Sequence, residues 1–264
     1  MVVACGLSGH QRAYVVDGLR RYADCQFIDS FDDLDRMLST LTRCDALVLA
    51  PQDQRGRDAL GTVERVARDW PGTAVVIFCP ARTDPAPSIR QLILAGAHEI
   101  VFEGVHPTAA KLAQAVENAR RECAAETVFL RLQPLIPAQL HSMVHAVVAR
   151  PDILTSVAEL GAALGVHRKT LVNRCTRSDF LQPAELIMWC RLAMVGHMLE
   201  RTGSTVESIA LTLGFASHTA LRNLVKRYTG RRATDIRREG GLALVLFALG
   251  RRIEARRGRE LPIP

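Results

Sequence analysis

Val206-Glu207-Ser208-Ile209-Ala210-Leu211-Thr212-Leu213-Gly214-Phe215 decides how this chain folds, because it repeats an earlier stretch, Val157-Ala158-Glu159-Leu160-Gly161-Ala162-Ala163-Leu164-Gly165-Val166. The apolar positions and the glycine coincide at an offset of 49 residues. Beyond the turn the offset becomes 50, with Leu171-Val172-Asn173 matching Leu221-Arg222-Asn223. An internal repeat of this length marks a supersecondary unit used twice.

In each copy a short amphipathic helix ends at a glycine suited to the left-handed conformation of a tight turn. One apolar residue, Val166 or Phe215, then anchors the turn. A second helix follows, packed on the first through Leu171 and Cys175 or through Leu221 and Val225. This is the pattern of a helix-turn-helix. The opposite face of the second helix is polar, with Arg168, Lys169 and Asn173 in one copy and His218, Thr219, Arg222 and Asn223 in the other. Arg, Lys and Asn have the hydrogen-bonding geometry that suits base edges in a major groove. Between the copies, Pro183–Arg201 reads as one helix, with Ile187, Cys190, Met194 and Met198 at steps of three and four residues. At 1.5 Å per residue it spans roughly 27 Å. Such a strut holds two recognition helices near one DNA turn apart, about 34 Å.

Residues 138–239 resemble the DNA-binding domain of the AraC/XylS family. The resemblance is carried by Ile209-Ala210, Leu213-Gly214-Phe215, Leu221, Lys226-Arg227-Tyr228-Thr229-Gly230 and Arg237-Arg238, with Arg191-Leu192 in the connecting helix. It implies base contacts from Arg168, Lys169, Val172 and Asn173, and from His218, Thr219 and Asn223. Val172 departs from the polar residue often found at its position and offers only a contact to a thymine methyl. Arg231-Arg232-Ala233 stands where the family often has proline after Gly230.

Residues 1–124 follow another rhythm. Short apolar runs at Val2–Cys5, Cys25–Ile28, Ala46–Ala50, Ala74–Cys79 and Ile100–Phe102 alternate with helix-like stretches near 10–22, 31–41, 55–69, 87–96 and 107–124. Five such repeats predict a doubly wound α/β domain with a five-stranded parallel sheet. Together with Gly96-Ala97-His98-Glu99 running on to Glu103, this repeat resembles a response-regulator receiver. The chemistry of that family is missing. Ala50 occupies the phosphoacceptor position, and no acid precedes Asp17 to hold Mg²⁺. Cys79 stands near the Thr/Ser position, and Glu103 replaces the lysine. A degenerate, phosphorylation-independent receiver is expected, used for dimerisation or for docking a partner, with Asp53 the nearest displaced acid. Gly6-Leu7-Ser8-Gly9 follows the first strand but lacks the remaining glycines or the lysine of a phosphate loop. It reads as a plain turn.

Charge divides the same way. Residues 1–124 carry 14 basic and 16 acidic side chains, and the remainder 20 and 11, within an overall +7. A near-neutral unit joined to a basic one suits a polyanion binder. The linker is expected at 125–137, around the prolines, with 240–264 forming an apolar helix (Leu242–Ile253) and a basic tail containing Arg251, Arg252, Arg256, Arg257 and Arg259. That helix is expected to pack on the preceding domain or between subunits. The seven scattered cysteines contain no CxxC pair and read as buried thiols of a reducing compartment. No secretory signal and no membrane span is seen, and a cytoplasmic bacterial protein is expected. No arrangement of residues for catalysis emerges, His141 and His145 read as core or surface rather than metal ligands, and no cofactor or metal is expected. The expected partners are double-stranded DNA, a second copy of the chain and RNA polymerase. The competing expectation is a small-molecule sensor with its pocket at the strand C-termini of the first domain.

Overall fold

The computed structural model describes residues 1–20, 25–41, 44–80, 88–104, 108–200 and 204–258. The chain forms two compact units, Met1–Cys123 and Ala124–Pro264.

The first unit contains strands β1 (Val2–Cys5), β2 (Cys25–Ile28), β3 (Ala46–Leu49), β4 (Ala74–Cys79) and β5 (Glu99–Phe102), all parallel, in the order β2-β1-β3-β4-β5. This is the doubly wound order whose direction reverses between β1 and β3. Every residue of β1, β3 and β4 is buried, as continuous apolar runs require in a sheet covered on both faces. Alternate side chains divide between two cores. Val2, Ala4, Val48 and Val76 meet α1 (Gly9–Gly18) and the first part of α5 (Thr108–Leu132), while Val3, Cys5, Leu49 and Ile77 meet α2 (Phe31–Thr40), α3 (Leu60–Asp69) and α4 (Ile89–Ala95).

Two expectations are corrected here. The third helix starts at Leu60 rather than near 55. Residues 51–59 instead fold around Asp53, whose carboxylate accepts the backbone N–H groups of Arg55 and Arg57, and Gly56 takes a φ of +80°. Residues 125–132, expected as linker, are helical and continue α5. Ala124, Ala125, Val128 and Leu132 form an apolar stripe buried in the second unit's core, and the turn Gln133–Leu135 follows where Pro134 forbids further helix. Residues 21–22, 87, 107, Arg201 and Arg259, included in expected elements, lie outside the described residues.

The second unit is all helical: α6 (His141–Ala149), α7 (Val157–Ala163), α8 (Arg168–Arg177), α9 (Pro183–Leu199), α10 (Val206–Thr212), α11 (His218–Thr229), α12 (Ala233–Glu239) and α13 (Gly241–Arg256). The connecting helix α9 is not an exposed strut. Twelve of its 17 residues are buried, because it is apolar nearly all round. Its last side is covered by α13, which lies so close that a Cβ on Gly196 would stand 2.9 Å from Val245 Cγ2 and 3.0 Å from the Gly241 carbonyl oxygen. Glu200 accepts the backbone N–H of Leu242 at 2.7 Å, and Arg252 donates twice to Glu185 at the other end. The apolar C-terminal helix thus packs on its own domain. His141 and His145 stand edge-on to Phe129 at 6.0 and 5.1 Å.

Candidate nucleic-acid interface

The two repeats build the same object from different residues. Each first helix opens on a capping box: Ser156 with Glu159 for α7, Thr205 with Ser208 for α10. Each turn closes through a glycine in the left-handed region, Gly165 at φ +63° and Gly214 at +65°. The anchoring residue then returns a backbone hydrogen bond to the first helix, Val166 to Gly161 O at 2.9 Å and Phe215 to Ala210 O at 2.8 Å. A small residue is needed at that point. A Cβ on Gly161 would meet Val166 O at 2.8 Å.

The second helices are capped by His167, whose Nδ1 accepts Lys169 N–H, and by Ser217, whose Oγ accepts Ala220 N–H. Leu171 and Cys175 are buried beneath α8, and Leu221 and Val225 beneath α11. With those positions inward, helical geometry turns the first, second, fifth and sixth residues outward. In α8 these are Arg168, Lys169, Val172 and Asn173, and in α11 His218, Thr219, Arg222 and Asn223. All are exposed except the half-buried Val172. The structure therefore places the two sets at identical positions of two helices. Among the described residues no acidic side chain pairs with Arg168, Lys169 or Arg222, which leaves their charge free for a polyanion. Thr176 and Lys226, one turn further on the same faces and exposed, were not singled out in the sequence as contacts, although Lys226 belongs to the signature that carries the resemblance. Their spacing of three and four residues from Asn173 and Arg222 was the available signal.

The corresponding chemistry of the first unit is closed off. Ala50 ends β3 and is buried, its N–H bonded to Cys5 O at 3.0 Å. Gly6 has φ +75°, and a Cβ there would lie 3.0 Å from Asp53 Cα and 3.3 Å from Ala50 Cβ, so this crevice is filled by protein. Asp53 is 6% exposed and spends its carboxylate on Phe31 N–H (2.9 Å), Arg55 N–H (2.9 Å) and Arg57 N–H (3.0 Å). At the end of β5, Glu103 pairs with His10 Nδ1 at 2.7 Å. Burial pushes the thiol of Cys5 up to about 12, with Asp53 and Asp35 adding to it, and that of Cys79 up to about 11, so neither is a nucleophile at neutral pH. Among the described residues no three His, Cys, Asp or Glu side chains converge on a metal position, and no helix is long and apolar enough to cross a membrane.

Strand order and helix positions define the class: a receiver-like α/β unit, and an all-helical unit holding two helix-turn-helix motifs. Residues 160–239 match a family model described as a helix-turn-helix domain, and they fall within the segment whose sequence resembles the AraC-type domain. No curated protein matches the chain. Among solved structures, similarity extends to a DNA-binding transcriptional dual regulator from Escherichia coli K-12 (13% identity over 40% of this chain and 94% of that one, TM-score 0.36). It extends also to full-length FixJ from B. japonicum (14%, 71% and 95%, TM-score 0.40). A third is RcsB from Salmonella enterica serovar Typhimurium bound to promoter rprA in the presence of phosphomimetic BeF3- (12%, 70% and 96%, TM-score 0.36). At such scores the architecture rests on the strand order and helix positions, not on the likeness.

Proposed function

We propose that this chain is a sequence-specific transcription regulator that reads double-stranded DNA with α8 and α11, without phosphorylation. The observation that carries the proposal is the pair of exposed polar faces at identical positions of two helices, each set on a helix-turn-helix. Arg168, Lys169, Asn173, Arg222 and Asn223 supply donors and amides for base edges and phosphates, His218 and Thr219 supply further polar contacts, and Val172 offers an apolar surface to a thymine methyl. Selection of genomic fragments by the purified protein tests this, followed by binding of the recovered site by Asn173→Ala and Asn223→Ala. A loss of about 1–3 kcal/mol in each, confined to the selected sequence, is expected. Binding that falls with salt but ignores sequence and both substitutions refutes it.

Phosphorylation independence is supported by Ala50 at the acceptor position and by the full engagement of Asp53. We assign the first unit to self-association through α4, β5 and α5. β5 is an edge strand, and Ile93, Leu94 and Phe102 are 52%, 77% and 40% exposed on that side. Sedimentation at micromolar concentration is expected to show a dimer that Leu94→Asp dissociates; a monomeric wild type removes this part of the reading. RNA polymerase would then be a further partner of the DNA-bound dimer. The close packing of Gly6 on Ala50 and Asp53 offers little to favour a ligand pocket between β1 and β3.

A further inference from the structure

Arg191 is the one charged side chain among the buried residues of α9, and it is 5% exposed. A buried charge of this kind is retained only where hydrogen bonds compensate its lost hydration. Its Nε donates to the carbonyl oxygen of Pro151 at 2.8 Å and a terminal nitrogen donates to that of Leu213 at 2.7 Å. Its guanidinium carbon lies 4.1 Å from the ring centroid of Phe215. Pro151 lies in the segment leading into α7. Leu213 and Phe215 bracket the turn between α10 and α11. One side chain on the connecting helix therefore ties the segment that leads into the first repeat to the turn of the second. The same two segments also touch directly, since a Cβ on Gly214 would stand 3.0 Å from Asp152 O.

We infer that Arg191 is a positioning residue that fixes the separation and rotational phase of α8 and α11, and so sets the half-site spacing the protein accepts. A planar guanidinium is suited to this. It presents donors in fixed directions while its face stacks on a ring, whereas a lysine ammonium has no such face. One carbonyl lies in the segment leading into the first repeat and the other in the second, so loosening either bond frees one recognition helix relative to the other without removing a single base contact. The inference rests on the two-helix reading of DNA proposed above.

The experiment uses the full-length chain, its selected bipartite site, the same site with two base pairs inserted between the halves, and each half alone. The insertion rotates one half by about 70° relative to the other. Wild-type protein is expected to lose about tenfold or more in affinity on insertion. Arg191→Lys, shown folded by its thermal melt, is expected to lose less than about threefold, while its affinity for each half alone stays within about twofold of wild type. Phe215→Leu keeps both hydrogen bonds and removes the stacked ring, so it carries the same comparison if the lysine variant does not fold. An insertion penalty equal to that of wild type overturns the inference, as does a uniform loss on every probe, which marks a purely structural role. A wild type that chooses its sequence but tolerates the insertion overturns it too, leaving the functional reading intact. A wild type with no sequence choice overturns both.

Discussion

Asp53 shows how a residue can look like chemistry in a sequence and be architecture in a structure. It is the acid nearest the degenerate acceptor position, yet three backbone N–H groups, one of them 22 residues away at the start of α2, use up its carboxylate. Asp53→Ala is expected to destabilise the first unit by roughly 2–3 kcal/mol in urea denaturation, because buried amide donors are left unpaired. Beryllofluoride with Mg²⁺ is expected to leave the wild-type melting temperature unchanged; a rise of several degrees refutes the loss of phosphoacceptor chemistry. Asp179 is the converse case. Among the described residues it is the non-glycine one at positive φ (+43°), just after α8, where its N–H returns to Thr176 O and that of Phe180 to Cys175 O. Glycine suits this helix ending best. Asp179→Gly is expected to stabilise the second unit by about 0.5–1 kcal/mol in the same assay.

Among elements, α9 and α13 are the most informative pair. Gly196 and Gly250 are both helical glycines, but a Cβ on the first meets backbone at 3.0 Å while one on the second meets nothing within 4 Å. Gly196→Ala is expected to lower stability by about 1 kcal/mol, with roughly 2 kcal/mol of overpacking outweighing the ~1 kcal/mol alanine gains in a helix. Gly250→Ala is expected to raise it, and thermal melts of the two variants should move in opposite directions. At the end of α4, His98 Nδ1 accepts Val75 N–H, so the ring proton sits on Nε2 and is donated to Cys123 Sγ at 2.9 Å. Burial holds the ring below its ordinary 6.5, against the pull of Glu122 and Glu99. Folding favours the neutral ring. Its contribution is complete above 6.5 and is lost as pH falls through the lowered folded value, since the unfolded chain binds the proton first. Denaturation midpoints are expected to fall as pH drops below 6.5, and less steeply in His98→Gln. Strand positions and the helices α8 and α11 were legible in the sequence, because short continuous apolar runs and the three-to-four-residue spacing leave local marks. The Asp53 loop was not, since it is made by the Asp53 carboxylate taking the N–H groups of Arg55 and Arg57, and the bond that holds that carboxylate in place comes from Phe31, 22 residues away. Arg191 was visible as a charge in an apolar helix, but its partners lie 40 and 22 residues away.

At the scale of the whole molecule, the basic excess lies entirely in the second half of the chain, and Arg168, Lys169 and Arg222 on α8 and α11 are among its exposed cations without an acidic partner. If six to nine phosphates are neutralised, log affinity against log salt is expected to fall with a slope of roughly −5 to −8. A slope near zero under the same titration refutes an electrostatic docking of this unit on DNA.

The filled crevice between β1 and β3 also bears on the history of the first unit. Ala50 is buried, and the neighbouring Cys5 already feels the field of Asp53, Asp35, Asp29 and Asp33. Returning an aspartate to position 50 alone would bury another negative charge there, with Glu103 at the place where a lysine would have balanced it. On the proposed reading of this unit as a degenerate receiver, a reversion at position 50 alone is expected to be destabilising. The change would then work as a ratchet: the unit is free to diverge as a scaffold, and closed to resuming a lost trade.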